Sequence, residues 1–226
     1  MKSRLANRLP TQGRICDIAP ARSDPNYQLI LVDDRIAAVL RATDCQEIGL
    51  KPGLPWTQSV IDHVARMIAV ERARRAALQI LSRRAISKND LIARLLKRGH
   101  ESNDSHRVVE ELRTDGWLDD ERLANSLLHE LRQRGPIGRE LAIRKLEARG
   151  ISTAVAERAV TEALADQDVV AEAVAFAQLR LRRERTSARK GTARRIAAAL
   201  AQRGFEEMTI EAALDQLHLT GEDSDS

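Results

Sequence analysis

Arginine and lysine side chains are concentrated in two parts of the chain, and the chemistry they offer is anion binding. Guanidinium and ammonium groups bind phosphates and carboxylates through charge-assisted hydrogen bonds, and their phosphate contacts do not depend on base sequence. The alternative interpretation is a solvated helix face with ion pairs one turn apart. We predict that both groups contact a polyanionic partner: the first is Arg83, Arg84, Lys88, Arg94, Lys97 and Arg98, and the second is Arg180, Arg182, Arg183, Arg185, Arg189, Lys190, Arg194 and Arg195.

Side chains that carry out catalysis or bind metals lack a productive spacing in this sequence. The five histidines show no ligand pattern, and Asp119 and Asp120 adjoin at a predicted helix start, where capping is the expected role. Cys16 and Cys45 have no metal-site spacing and are interpreted as small buried apolar groups in a reducing compartment. A glycine-rich phosphate loop and a nucleophile motif are also missing. We therefore expect no enzyme activity, no cofactor and no metal.

The net charge of +4 is unevenly distributed along the chain. Residues 57–117 hold 12 Lys and Arg against 8 Asp and Glu, and residues 118–168 hold 8 against 10. Residues 169–205 hold 9 against 2, whereas residues 206–226 have 7 acidic residues and no basic one. A basic segment of this kind attracts nucleic acid or the acidic groove of a protein.

An Arg-Gly pair that ends a helical pattern occurs three times, with glycines 51 and then 54 residues apart. A fixed period of this size is typical of repeat architectures that present a long binding surface. Glycine is expected just after each helix, and arginine in the last turn is favoured by the helix dipole, so a structural role is expected for these arginines, with contact to a partner as the alternative. The pairs are Arg98-Gly99, Arg149-Gly150 and Arg203-Gly204, and each has a leucine four residues before the glycine: Leu95, Leu146 and Leu200.

The predicted fold is mainly α, with tandem three-helix repeats in an elongated, right-handed-type helical array and a small N-terminal β-hairpin unit. Two β-type runs, residues 27–32 and 35–41, flank a turn at Asp33 and Asp34, and residues 14–18 form a further candidate strand. The predicted divisions are a β-containing extension at 1–56, helical repeats at 57–117, 118–168 and 169–217, and an acidic tail without fixed structure at 218–226.

Three further positions are assigned to packing and capping. Trp56 and Trp117 are predicted to anchor the core or the contacts between repeats, because large aromatic side chains contribute most when buried. Residues 87–90 (SKND) resemble a capping box in which a short acid replaces glutamate, so a helix should begin there at Ser87.

Three segments resemble the RecX family of recombination regulators. They are residues 77–99 (ALQILSRRAISKNDLIARLLKRG), residues 112–124 (LRTDGWLDDERLA) and residues 135–151 (GPIGRELAIRKLEARGI). The resemblance covers roughly residues 70–215, and the N-terminal unit looks like the extension of longer family members. The third repeat is less typical, because its connecting segment at 183–191 is long and basic.

The resemblance implies a regulator, without an active site, that binds the groove of the RecA nucleoprotein filament. Such proteins suppress RecA ATP hydrolysis, filament growth and DNA strand exchange, and the two basic groups would then contact the filament or its DNA. Single- or double-stranded DNA is a second expected partner. No apolar run approaches the ~18 residues of a membrane span, and residues 1–14 lack the apolar stretch of a secretory signal, so a cytoplasmic location is expected. The chain is also expected to be a monomer.

Two other functions remain open from the residues alone. Three-helix units joined by short turns are also typical of helix-turn-helix DNA-binding modules, which would bind naked DNA with sequence preference. A helical scaffold for an unrelated protein is the third alternative.

Overall fold

The computed structural model describes residues 9–165, 167–183 and 191–219, with the backbone alone at Arg183. This part of the chain is mainly helical with one small antiparallel sheet, as the sequence predicted. The strands and helices are β1 Ile15–Ala21, β2 Asp24–Val32, β3 Arg35–Arg41, α1 Ala42–Glu47, α2 Gln58–Leu81, α3 Lys88–Lys97, α4 Ser102–Thr114, α5 Asp120–Gln133, α6 Arg139–Glu147, α7 Thr153–Leu164, α8 Val169–Arg183, α9 Thr192–Gln202 and α10 Glu207–Gln216.

The three strands form a sheet in the order β1-β2-β3, and the predicted hairpin is β2-β3. Asp33 and Asp34, which join these strands, have φ angles of 47° and 61°. Positive φ at both central residues defines a type I′ turn, whose twist matches that of the flanking strands. The short helix α1, which follows β3 directly, was not predicted, because six residues carry too little periodic pattern to identify a helix.

The chain divides into two compact units. The first contains residues 1–83 and 92–112, and the second contains residues 84–91 and 113–226. In the first unit, the sheet and α2 share a core that includes Ile30, Leu40 and Val64. Trp56 is buried there as predicted, at 2% exposure, and its indole Nε1 donates a hydrogen bond to the Pro10 carbonyl at 2.8 Å.

The two cysteines lie in different environments. Cys45 is buried at the end of the sheet core, and burial raises the pKa of its thiol to about 11. The expectation of burial was wrong for Cys16, which is exposed because it follows the fully buried Ile15 on an edge strand. Successive side chains of a strand point to opposite faces, so burying Ile15 places Cys16 outside.

A buried charged cluster lies inside the first unit. Glu71 and Arg74 on α2 are both below a tenth exposed, and Arg74 Nε lies 3.7 Å from Glu71 Oε2. The other carboxylate oxygen, Glu71 Oε1, accepts hydrogen bonds of 2.7 Å from the Tyr27 hydroxyl and from Arg75 Nε. Arg74 also forms an ion pair with Glu111 of α4. Burial lowers the pKa of the Arg74 guanidinium, and the neighbouring Arg41 lowers it further.

The same cluster extends to the start of α1. Arg41 at the end of β3 pairs with Asp44 at 2.9 Å and with Glu111 at 3.4 Å. Arg107 on α4 pairs with Glu47 at 2.5 Å, and this contact holds the pKa of the Glu47 carboxyl below its usual value. The ion pairs therefore connect the sheet, α1, α2 and α4 within the first unit.

The three Arg-Gly pairs end α3, α6 and α9 with the same backbone geometry. The glycines Gly99, Gly150 and Gly204 have φ angles of 84°, 79° and 79°. The backbone amide of the residue that follows each glycine donates to the carbonyl of the leucine that lies four residues before that glycine, at 3.2 Å in all three cases. This pattern is the Schellman motif, in which a left-handed glycine satisfies the last carbonyls of a helix. It explains why leucine and glycine recur at this spacing: the leucines Leu95, Leu146 and Leu200 are fully buried.

In two cases the end of a helix that carries an Arg-Gly pair packs against the start of the previous helix of this kind. The end of α6 packs against the start of α3, and the end of α9 packs against the start of α6. We call each of these contacts an Arg-Gly joint. In the first joint, Ser87 Oγ donates to the Arg149 carbonyl at 2.8 Å and Asn89 Nδ2 donates to the Gly150 carbonyl at 3.0 Å. The same Ser87 hydroxyl accepts from the Asp90 amide at 3.2 Å, which confirms the predicted helix cap.

The second joint is tighter because glycine lies on both sides. The Gly138 amide donates to the Arg203 carbonyl at 2.8 Å. A Cβ atom at Gly138 would overlap the backbone of Gly204, and one at Gly204 would overlap the backbone nitrogen of Leu141. Only glycine therefore permits this approach of α9 to α6. A Cβ atom at Gly99 would have no described atom within 4 Å, so the described part of the chain forms no third joint there.

The described residues of the second unit form two hydrophobic cores. One lies among α5, α6 and α7 and includes Leu128, Leu146 and Val160, and the other lies among α8, α9 and α10. Within the described residues, no helix is both long and apolar enough to cross a membrane. The repeat boundaries at residues 117, 168 and 217 stay predictions. Of the expected acidic tail at 218–226, all but His218 and Leu219 lies outside the described residues.

Candidate interaction surface

The described members of the second basic group lie on α8 and α9, which pack together in the last core of the second unit. Arg180 and Arg182 are exposed near the end of α8, and Arg194 and Arg195 are exposed in the first turn of α9. Arg195 Nη2 donates to the Thr192 hydroxyl at 3.2 Å. The Arg183 side chain is not described, and Arg185, Arg189 and Lys190 lie outside the described residues.

Ion pairing differs among the basic side chains of the second unit. In the middle repeat, arginines pair with glutamates one turn away, as in Arg134 with Glu130 at 2.5 Å and Arg144 with Glu140 at 3.3 Å. Among the residues that the structure describes, no carboxylate pairs with Arg182 or Arg194. Within the described residues, the same is true of Arg122 and Lys145 in the middle repeat, so pairing depends on the individual side chain rather than on the repeat.

The first basic group is divided between the two units. Arg84 and Lys88 belong to the second unit, where Arg84 Nη2 lies 3.9 Å from Asp90 Oδ2 and Lys88 is half-buried. The other four belong to the first unit, with Arg94 half-buried and three exposed: Arg83, Lys97 and Arg98. A contact role for these six side chains stays a prediction.

A cleft that the sequence did not reveal lies within the second unit, where α5 ends, α6 begins, and α8 and α9 face them. Its volume is about 720 Å³, and three arginines line it: Arg134, Arg180 and Arg203. Phe176 and Leu179 of α8 supply apolar walls. Of these five side chains only Arg180 was among the predicted contacts. Arg134 and Arg203 share one sequence signal, since each directly precedes a glycine that ends a helix.

Arg203 is held in place at the floor of this cleft. Its guanidinium Nη1 donates to the Pro136 carbonyl at 3.3 Å, and its Cζ lies 5.1 Å from the centroid of the Phe176 ring. A cation over an aromatic face at this distance is electrostatically attracted to the ring. The arginine before the glycine therefore has a packing role in the second joint and also places positive charge in the cleft.

The two adjacent aspartates cap backbone amides, as predicted. Asp119 Oδ1 accepts from the Arg122 amide at 2.9 Å, and Asp120 Oδ1 accepts from the Lys88 amide at 2.9 Å. Burial raises the pKa of the Asp120 carboxyl. Across the part of the chain that is described, no cluster of three or more His, Cys, Asp or Glu side chains could hold a metal ion.

The prediction of a buried anchor was wrong for Trp117, which is 62% exposed between α4 and α5. The next residue, Leu118, is buried and takes the packing position instead. The left-handed Gly116 that ends α4, with φ of 77°, directs the chain so that Leu118 turns inward.

Comparisons with known proteins give a consistent result, although a scan against models of protein families finds no match. The chain is 33% identical over 149 residues to the regulatory protein RecX of Pelodictyon phaeoclathratiforme, covering 66% of this chain and 91% of that protein. It is 26% identical over 206 residues to the regulatory protein RecX of Geobacillus kaustophilus, covering 89% of this chain and 76% of that protein.

Two solved structures have the same fold as this chain. A crystal structure of regulatory protein RecX superposes with a TM-score of 0.74 at 19% identity, covering 90% of this chain and 99% of that one. RecX from Lactobacillus salivarius superposes with a TM-score of 0.59 at 19% identity, covering 67% of this chain and 97% of that one. The sequence similarity shows that the chain belongs to the RecX family of regulatory proteins.

Proposed function

We propose that this chain binds the RecA nucleoprotein filament and inhibits its ATPase activity, filament growth and strand exchange. Membership of the RecX family supports a regulatory role, and the observation that carries a filament contact is the exposed arginines of α8 and α9. In this account the chain has no active site of its own. It acts by occupying a surface that the filament needs for its growth or for its ATPase activity.

The chemistry of the contact follows from the charges. A RecA filament forms on DNA of any sequence, and arginine contacts with phosphate or carboxylate groups are equally independent of sequence. Arg182, Arg194 and Arg195 are exposed on neighbouring helices of one compact unit, so that several weak contacts can act together.

A charge-reversal experiment tests the proposal. We expect the unchanged chain, at sub-stoichiometric amounts, to lower the ATPase rate of RecA on single-stranded DNA. Replacing Arg182, Arg194 and Arg195 together with Glu should weaken filament binding by about 2 kcal/mol, roughly thirty-fold, because three attractive surface contacts become repulsive. The salt dependence of binding should fall in parallel.

The control variant replaces Arg122, Arg144 and Lys145 with Glu, which changes the total charge equally on exposed positions of the middle repeat. Full inhibition by the control and loss of inhibition by the α8–α9 variant would support the proposal. Absence of inhibition by the unchanged chain at micromolar concentration would overturn it. Sequence-selective binding to naked DNA without RecA would favour the helix-turn-helix alternative.

A further inference from the structure

We propose that the arginine-lined cleft of the second unit binds an acidic peptide segment that carries aliphatic side chains. The identification of this segment as part of the RecA filament rests on the function proposed above, whereas the chemistry of the cleft does not. The cleft combines a concave shape of about 720 Å³ with three guanidinium groups. Such a combination of shape and convergent polar groups is typical of binding sites.

The charge of the cleft favours an anionic occupant. Arg134, Arg180 and Arg203 line it, and no Asp or Glu is among the described residues that form its walls. Arg134 forms an exposed ion pair with Glu130, in which the two side chains are 70% and 55% exposed. Exposed pairs of this kind contribute little free energy, so a peptide carboxylate can replace Glu130 at small cost.

Arg203 is prepared for carboxylate binding. One of its amino groups is held by the Pro136 carbonyl and its Cζ lies over Phe176, which fixes the guanidinium plane. Arginine has five N–H donors, so the remaining ones are available for a carboxylate. A side chain that is already fixed loses less conformational entropy when a ligand binds.

The apolar walls favour a peptide over single-stranded nucleic acid. Nucleic acid grooves combine positive charge with open aromatic faces on which bases stack. Among the described residues, Phe176 is the one aromatic side chain that lines this cleft, and Arg203 covers its face. The accessible apolar contact is aliphatic instead, since Leu179 is 55% exposed at the cleft and Leu141 lies opposite. A partner in which leucine-like side chains are placed at intervals among acidic ones matches these walls.

Fluorescence anisotropy with a defined probe tests the cleft directly. The probe is a fluorescein-labelled twelve-residue peptide in which Glu-Leu-Asp-Glu is repeated three times, and the protein is the full chain. We expect saturable binding that weakens as salt rises. Replacing Arg134 and Arg180 together with Gln should weaken it about ten-fold, as expected for the loss of two charged contacts. Leu179→Ser should weaken it by a smaller factor of about three.

Two controls decide the interpretation. Replacing Arg122 and Arg144 with Gln removes the same charge outside the cleft and should leave peptide binding unchanged. A peptide with Ser in place of Leu should bind more weakly than the original. The proposal is overturned if the peptide does not bind, if the two double variants behave alike, or if an oligothymidine of equal charge displaces the peptide at equal or lower concentration.

The peptide-binding test of the cleft and the RecA inhibition test can fail independently of each other. If the chain binds the peptide through the cleft but does not inhibit RecA, the cleft stands and the filament function fails. If the chain inhibits RecA while the peptide does not bind and the Arg134 and Arg180 variant inhibits fully, the cleft inference fails alone.

Discussion

Replacing Gly204 with Ala should destabilise the second unit by about 3 kcal/mol or more. A left-handed backbone at φ of 79° costs an L-residue about 1–2 kcal/mol. The new methyl group would also overlap the backbone of Leu141 at the second Arg-Gly joint, and overpacking against backbone adds about 1–3 kcal/mol. Thermal and urea unfolding followed by circular dichroism would measure the loss.

The chain contains its own control for this effect. Gly99 has the same Schellman geometry, with φ of 84°, but no described atom lies within 4 Å of the position of an added Cβ atom. Gly99→Ala should therefore cost only the conformational part, about 1–2 kcal/mol. Gly150→Ala should fall between the two, because its main neighbour is the Ser87 hydroxyl at 2.5 Å. Equal losses at Gly99 and Gly204 would show that the joint contributes nothing.

Replacing Arg74 with Met should destabilise the first unit by about 3 kcal/mol. Arg74 is buried between Glu71 and Glu111, and removing a buried cation leaves the Glu71 Oε2 atom in the interior without its ion-pair partner, although Tyr27 and Arg75 still bind Glu71 Oε1. The replacement keeps most of the length of the side chain, so the loss measures charge rather than packing. The free energy of unfolding, obtained from urea titration, gives the magnitude.

Arg75 supplies the matched control, because it binds the same glutamate from an exposed position. Its side chain is 64% exposed, and its Nε donates to Glu71 Oε1 at 2.7 Å. Arg75→Met should cost no more than about 1 kcal/mol, as is usual for exposed pairs. If both replacements cost the same, burial of the cluster is not what makes Arg74 important.

The helices from α2 to α10 could be predicted because their signals are local. The Schellman ends need only a leucine and a glycine at fixed spacing, and the caps at Ser87 and Asp119 need only one side-chain oxygen near a helix start. The Arg-Gly joints could not be predicted, because they bring together residues such as Gly138 and Arg203 that are distant along the chain.

The candidate cleft could not be predicted for the same reason, because its residues are distant along the chain. Charge counting along the sequence identified Arg180, which lies in the most basic segment, but not Arg134, which lies in a segment with net negative charge. Local charge balance cannot indicate which arginines converge across three helices. Trp117 was misassigned for a related reason, since its apolar character predicts burial while its neighbour Leu118 occupies the buried position.

Electron microscopy of RecA filaments on single-stranded DNA, with the chain added, tests the central claim most directly. We expect extra density along the helical groove of the filament, in contact with successive RecA protomers. This density should be lost when Arg182, Arg194 and Arg195 are replaced with Glu and retained in the Arg122, Arg144 and Lys145 variant. Filaments that remain bare at micromolar concentrations of the unchanged chain would contradict the account.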